Sequence, residues 1–560
     1  MLKHSAPISG VATLDNKLVA TCGYDSKVIL WDLIDGLPRP LSKVSHDHLV
    51  NSCDFSADGT LLATASSDYS IRIWSVPDMR LLTIINTHKD DVLDVAFSHN
   101  GLFIAACSYD GTLSIHKLDG KKQCLMHGHK GLVESFAWSI DDNSITSVGT
   151  DGTIRTWCTK SGMQVEIRDD SNIDVDTIAY LPNGNKLFGD NNGMITSISD
   201  NQKLSFKAHD SAIKNIVINQ SYTKFVSTSY DGTLAYWALS TDFSIKLIFR
   251  TKLPKIVWPR AAAFLNENTI VFGTFGSCFL MLNLDTETWS EQDITPSSSL
   301  NSVHISGADK YTTGDAGVIF KNGNEIANVQ SLCNMVVNFN GYIYAGGQAC
   351  QIFNISQPND LHFTDSPINC ATVVNDTLAI GTYSGKMYIF KNKEDGKLTK
   401  INEVQVHENA IKGISFNGEY VFSGCADGEL CILNANDFKI EKRIQHAHDG
   451  ILNGCAPFNN GFATISRDLH LGLWSIDGLI NKFPSRHKNS IKCIASNNTG
   501  NYIATGSYTG FVDIFDVEKS CWINDIKRLT SWGISSLDWS ELDQTFYASS
   551  YDGNLYKVEF

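Results

Sequence analysis

The sequence predicts an all-β protein built as two seven-bladed β-propellers in tandem, with fourteen four-stranded blades. Three observations predict it. One pattern recurs about every forty residues, each copy alternates apolar and polar residues, and each carries tight-turn chemistry at a fixed place. About forty residues is the length of one four-stranded blade. Fourteen copies exceed the roughly four to eight blades of a single ring, so they divide as seven and seven.

The clearest copies are Gly23–Asp32, Ser66–Trp74, Ser108–His116, Gly149–Trp157 and Ser229–Trp237, with Asp at 25, 68, 110, 151 and 231. The last gap is two periods, and a weaker copy at Asp190–Ile198 fills it. Eroded copies follow at Gly273–Leu282, Thr313–Phe320, Ala345–Phe353 and Gly381–Phe390, and clear ones return at Cys425–Leu433, Ser466–Trp474, Ser507–Phe515 and Ser550–Val558. Asp25 to Asp552 spans 527 residues, thirteen steps of about 40.5. Runs such as Val28-Ile29-Leu30-Trp31 and Ile71-Arg72-Ile73-Trp74 are strand-like. Asp-Gly at 110, 151, 231, 427 and 552 marks hairpin turns in which Gly supplies the positive φ. With 12 prolines and no long amphipathic run, no substantial helix is expected.

These residues resemble the WD-repeat (WD40) family along essentially the whole chain. The resemblance implies a buried network in each blade joining a His, a Ser or Thr, an Asp and a Trp, with the His about 22 residues before the Asp. His4, His46, His88, His129 and His209 precede Asp25, Asp68, Asp110, Asp151 and Asp231 by 21 or 22 residues. His407 and His448 precede Asp427 and Asp468 by 20. The set is complete in five copies, which end at Trp31, Trp74, Trp157, Trp237 and Trp474. Copies five and seven to ten lack the His and usually the Trp. The tandem architecture is similar to that of actin-interacting proteins that assist filament disassembly, a likeness of architecture and not of motif.

The turn-rich Thr295–Ser299 stretch falls between copies seven and eight, which places the first propeller at 1–294 and the second, with more degenerate first blades, at 300–560. The last copy stops after its third strand. Either that blade has three strands, or the extreme N-terminus adds a short outer one.

Composition narrows the function classes. Of 560 residues, 45 are Lys or Arg and 60 are Asp or Glu, a formal charge of −15. That balance argues against a phosphate-backbone binder, so no nucleic acid is expected. No run of about 18 apolar residues suggests a membrane span, and Met1–Ala20 has no signal-peptide layout, so a cytoplasmic protein without a membrane partner is expected. The 14 cysteines are scattered without a Cys-x-x-Cys pair, so they read as reduced apolar fillers, Cys107, Cys278 and Cys493 inside strands.

No metal and no cofactor is expected. His46/His48, His127/His129 and His446/His448 each contain a network His, and no His-Glu-x-x-His motif occurs. Asp170–Asp176 mimics the start of a calcium loop, but Val175 stands at position six and Leu181 at position twelve. No catalytic signature is present, and the recurrence of Ser, His and Asp in many copies argues for scaffold and not for a triad.

Two features point to partners instead. The residue before the Asp is Tyr24, Tyr109, Tyr230 and Tyr551, with Tyr383, Tyr508 and Phe275 at the matching place elsewhere. In WD-repeat proteins this position lies on the top face, and Tyr suits an interface anchor. Arg250, Lys252, Lys255 and Arg260, with Trp258 among them, form a basic stretch without an acid, which suits an acidic peptide. The favoured function is therefore a non-catalytic scaffold that binds other proteins or peptides on its top faces. The alternatives are an enzyme or small-molecule binder with an axial pocket, sought in copies eight to ten, and an actin-filament disassembly cofactor.

Overall fold

The computed structural model describes residues 2–168, 174–199, 203–240, 244–291, 294–459 and 461–559. Among them every regular element is a strand, and no helix is long and apolar enough to cross a membrane. The strands form fourteen antiparallel sheets in two compact units, Met1–Ser297 and Ser298–Phe560, seven sheets in each. Thirteen sheets are four-stranded and the last is three-stranded: Ile534–Ser540, Thr545–Ser550, Leu555–Val558. Of the two ways to finish that blade, the structure has three strands. The N-terminal stretch stays with the first unit, where the His4 N–H donates to the Ser277 carbonyl at 3.1 Å.

Each blade runs in chain order from an inner to an outer strand. Blade one is Ile8–Leu14, Leu18–Gly23, Lys27–Ile34 and Leu37–Ser45. Its inner strand lies beside that of blade seven, Val257–Asn266, and the inner strand of blade eight, Leu300–Ser306, lies beside Ile534–Ser540 of blade fourteen, so each unit closes on itself. The predicted turn glycines have positive φ, for example 78° at Gly111 and 68° at Gly152. Fourteen free cysteines are distributed through the sheets; Cys107 and Cys493 lie in strands, whereas Cys278 sits in a turn before Leu280–Asn283.

Alternating residues of one blade bury themselves against the next. Ala105, Cys107, Leu113 and Ile115 of blade three meet Val133, Phe136, Trp138 and Ile145 of blade four. Every inner strand also carries an irregularity just after it starts. The register skips one residue at Ser9, Asn51, Leu93, Glu134, Asp176 and Lys214 in blades one to six. It skips Asn301, Asn334, Asn369, Lys412, Asn453, Lys492 and Ser535 in blades eight to fourteen. Blade seven has a wider irregularity between Val257 and Ala262, which contains Arg260. A bulge inserts a residue that opposes none on the partner strand and re-aims its side chain. Seven bulges around a ring therefore make a girdle of side chains at one level.

Candidate functional site

The blade networks hold the rim turns. In blade one His4 Nδ1 donates to Asp25 at 3.0 Å, its Nε2 lies 2.8 Å from Thr21 Oγ1, and Trp31 Nε1 donates to that same hydroxyl at 2.7 Å. A carboxylate only accepts, which assigns the proton to Nδ1; the Thr hydroxyl takes the Trp proton and gives its own to Nε2. The arrangement repeats for His46, Asp68 and Trp74 through Thr64, and for His129, Asp151 and Trp157 through Ser147. It repeats for His448, Asp468 and Trp474 through Thr464. In blade six His209 and Trp237 share Ser227, and Asp231 lies 3.5 Å from His209.

The Asp also accepts the N–H of the residue after the His, as Asp151 does from Lys130 at 2.9 Å. Burial alone would raise these carboxyls, but the His, hydroxyl and amide hydrogen bonds hold them low, Asp25 and Asp231 at about 2. Blade three keeps His88–Asp110 and substitutes His116 for the Trp, whose burial pushes the imidazole down to about 4.

Two networks differ in the residue that partners the His. His407 does not meet Asp427; its Nδ1 lies 2.6 Å from Glu429, two residues on, while Asp427 accepts the Glu429 N–H. The longer, buried Glu side chain takes the acceptor's place from two residues further along. In blade thirteen His487 reaches Thr505 at 2.9 Å, although Thr509 stands where the other copies have the Asp.

The rim residues before the Asp share one backbone contact, each N–H donating back to the loop before its own inner strand: Tyr24 to Pro7, Tyr109 to Asp91, Tyr230 to Ala212, Phe275 to Ile256, Tyr383 to Pro367, Tyr508 to Ser490 and Tyr551 to Gly533. They are equivalent in place but not in exposure. Tyr24 is 38% exposed, Phe275 is buried, and the other five are half-buried. Tyr24 meets Trp258 edge-on at 5.1 Å, and Trp258 stacks on Phe275 at 5.4 Å. Tyr508 and Tyr551 stack at 6.2 Å.

The basic stretch is not gathered into one loop. Arg250 and Lys252 end the outer strand Ile245–Lys252, and Lys255 is exposed beyond it. Trp258 and Arg260 lie on the inner strand of blade seven, where Trp258 is buried in the rim cluster. Arg260 joins Glu134 across the first ring at 3.1 Å. Burial opposes its charge, but Glu134 and the phenols of Tyr109, Tyr230 and Tyr24 outweigh that and hold the guanidinium well above its ordinary value. Lys214 similarly meets Asp176 at 2.7 Å and lies 4.7 Å from the Tyr230 ring. In the first ring, girdle charges are thus matched.

The second ring surrounds a cavity of about 680 Å³ lined by its girdle, including Asn301, Asn334, Asn369, Lys412, Asn453 and Lys492. Each of these asparagines ties one blade to the next: Asn301 donates to the Cys333 carbonyl at 3.3 Å, Asn334 to Ile368 at 2.9 Å, Asn369 to Ile411 at 2.6 Å and Asn453 to Ile491 at 2.6 Å. The signal for this girdle was in the sequence. Where a network His exists, the girdle residue is the fifth after it, from His4 and Ser9 to His487 and Lys492.

Among the described residues His407, Glu429 and Cys431 bring metal-ligating atoms within 4.8 Å of one another. Arg443 already lies there, 3.0 Å from Glu429 and 3.4 Å from Cys431 Sγ, so a cation's place beside these donors is taken by a guanidinium. Asp174 and Asp176 of the calcium-like run are separated by the bulge into blade five, and 170–173 lie outside the described residues.

The WD domain, G-beta repeat family matches residues 2–32, 39–75, 79–117, 120–158, 200–238, 398–434 and 479–516. The chain is similar to the 77 kDa echinoderm microtubule-associated protein of Strongylocentrotus purpuratus, 26% identical over 275 residues, 42% of this chain and 40% of that protein. It is similar to the transcriptional corepressor LEUNIG_HOMOLOG of Arabidopsis thaliana, 23% identical over 269 residues, 40% of this chain and 34% of that protein. Protein HIR1 of Cryptococcus neoformans is 25% identical over 256 residues, 40% of this chain and 29% of that protein. The chain thus spans less than half the length of each of these relatives.

Proposed function

The chain belongs to the WD40-repeat family, and from that premise we propose that it is a non-catalytic interaction scaffold whose first ring presents an aromatic rim to protein partners. Repeats that carry proteins as different as a microtubule-associated protein and a corepressor supply rigid loop ends, and the loops supply specificity. The observation that carries the reading is the Tyr24–Trp258–Phe275 cluster. Tyr24 offers exposed area, and the buried Trp258 fixes its ring before any partner arrives. A preset aromatic ring loses little entropy on binding, which is why such rings dominate interface energies.

The test is affinity purification with the intact chain beside Tyr24→Ala, whose folding is checked by circular dichroism. Loss of a specific partner in the variant supports the rim; an unchanged partner set removes it. An actin-filament role rests on the tandem architecture alone, and a microtubule role on one relative's name. Cosedimentation of the purified chain with each polymer decides both, since a chain left in the supernatant has neither.

A further inference from the structure

The girdle of the second ring departs from the rule that its own asparagines set. In blades eight, nine, ten and twelve the bulged residue is an Asn whose amide bridges to the next inner strand. Blades eleven and thirteen place Lys412 and Lys492 there, and the ring gives up that bridge at both positions. Among the described residues each ammonium instead packs over a rim tyrosine, Lys412 at 5.0 Å from the Tyr383 centroid and Lys492 at 6.0 Å from Tyr508, with no carboxylate within 4 Å of either nitrogen. Both open into the same cavity of about 680 Å³.

The first ring shows what the fold does when such charges are only structural. There Lys214 has Asp176 and Arg260 has Glu134. In the second ring the two cations are two blades apart, with blade twelve between them, and repel. Burial first, then Lys492 and Arg467, push the Lys412 ammonium down to about 7. Asp538, the acid that also lines the cavity, lies 3.5 Å from His304 and accepts the Ile305 N–H, so neither lysine has a carboxylate of its own. Two like charges in a part-desolvated cavity are costly unless something neutralises them. A phosphate group carries about −1.5 to −2 at neutral pH with several strong acceptor oxygens, so it offsets Lys492, favours the charged form of Lys412 and suits both in hydrogen-bonding type. The cavity exceeds a bare phosphate and falls in the range of small-ligand sites.

We propose that the axial cavity of the second ring binds a phosphate-bearing small molecule, whose phosphate sits between Lys412 and Lys492. The site is independent of the rim of the first ring. Inorganic polyphosphates and phosphate monoesters share this chemistry, so pyrophosphate and glycerol phosphate serve as separate probes.

Calorimetric titration of the intact chain at low ionic strength, with hydrogen exchange to locate the response, tests it. Expected is one site per chain for at least one probe, with added protection in Ile411–Phe416 and Ile491–Ser496. Lys412→Asn and Lys492→Asn should each weaken binding about tenfold or more. Asn is the girdle's own residue and restores the bridge, so both variants should melt no lower than the parent. Lys252→Asn, which removes the same charge from the outer surface, should bind as the parent does. The proposal is overturned if neither probe binds at millimolar concentration, if the double Asn variant binds as tightly as the parent, or if Lys252→Asn loses binding equally.

Discussion

The two rings are built from the same repeat and solve their interior charges in opposite ways. Among the described residues the first holds five network His–Asp pairs and balances Lys214 and Arg260 with acids. The second keeps His448–Asp468 and the variant His407–Glu429, runs blades eight to ten without a network His, and leaves its girdle lysines against phenol rings. Yet the eroded blades form complete sheets. Met335, Val337, Phe339 and Tyr344 of blade nine bury against Ile368, Leu378, Ile380 and Phe390 of blade ten. Apolar burial at about 25 cal/mol per Å² makes the blade; the polar network adds to it and positions the rim turn.

Acid should separate the rings most strongly. A network Asp has its pKa held below the unfolded value, so its stabilisation is present above about pH 4 and is lost as pH falls through the folded pKa, near 2 for Asp25 and Asp231. Each contributes of the order of 2 kcal/mol, and the first ring has more of them. Hydrogen exchange of the intact chain between pH 5 and pH 2 should show the first ring losing protection more steeply. Equal slopes in the two rings would break the comparison.

Single substitutions sharpen it. Asp151→Ala in the first ring and Glu429→Ala in the second should each lower stability by about 3 kcal/mol, since each strips a buried His of its acceptor. Asp427→Ala should cost only about 1 kcal/mol, because it loses a turn amide bond alone. Urea unfolding measures all three, and an Asp427→Ala effect as large as that of Glu429→Ala would refute the reassigned acceptor.

Asp54 gives the opposite sign within the first ring. Burial, with Asp94 nearby, pushes its carboxyl up to about 7. Its fold favours the protonated form, so stability falls as pH rises from about 4 to 7. Asp54→Asn should flatten that slope and stabilise the chain at pH 8 by about 1–2 kcal/mol, read from urea midpoints. Tyr24→Ala should change stability least, by about 0.5 kcal/mol or less, as a partly exposed rim position.

Much of the fold was legible because its signals are local. Turn glycines, strand alternation and the His-to-Asp interval each reside within one repeat. The Glu429 acceptor was hidden because the pattern required an Asp at the turn, although Glu429 stands 22 residues after His407, the usual interval; His487 was hidden because its partner position had become Thr509. The basic stretch misled for a related reason. Neighbours in sequence from Arg250 to Arg260 pass from the outer edge of one blade to the inner strand of the next, so adjacency along the chain became separation in space. The girdle was readable as the fifth residue after each His, but its meaning depends on seven copies meeting around an axis.

The bulge that makes the girdle has a consequence for how such rings change over time. An unpaired residue can be exchanged without moving any rung of the ladder, so Glu, Asn, Lys and Ser all occupy the position without a shift in register. The lumen can therefore be rewritten one letter per blade while the walls stay standing.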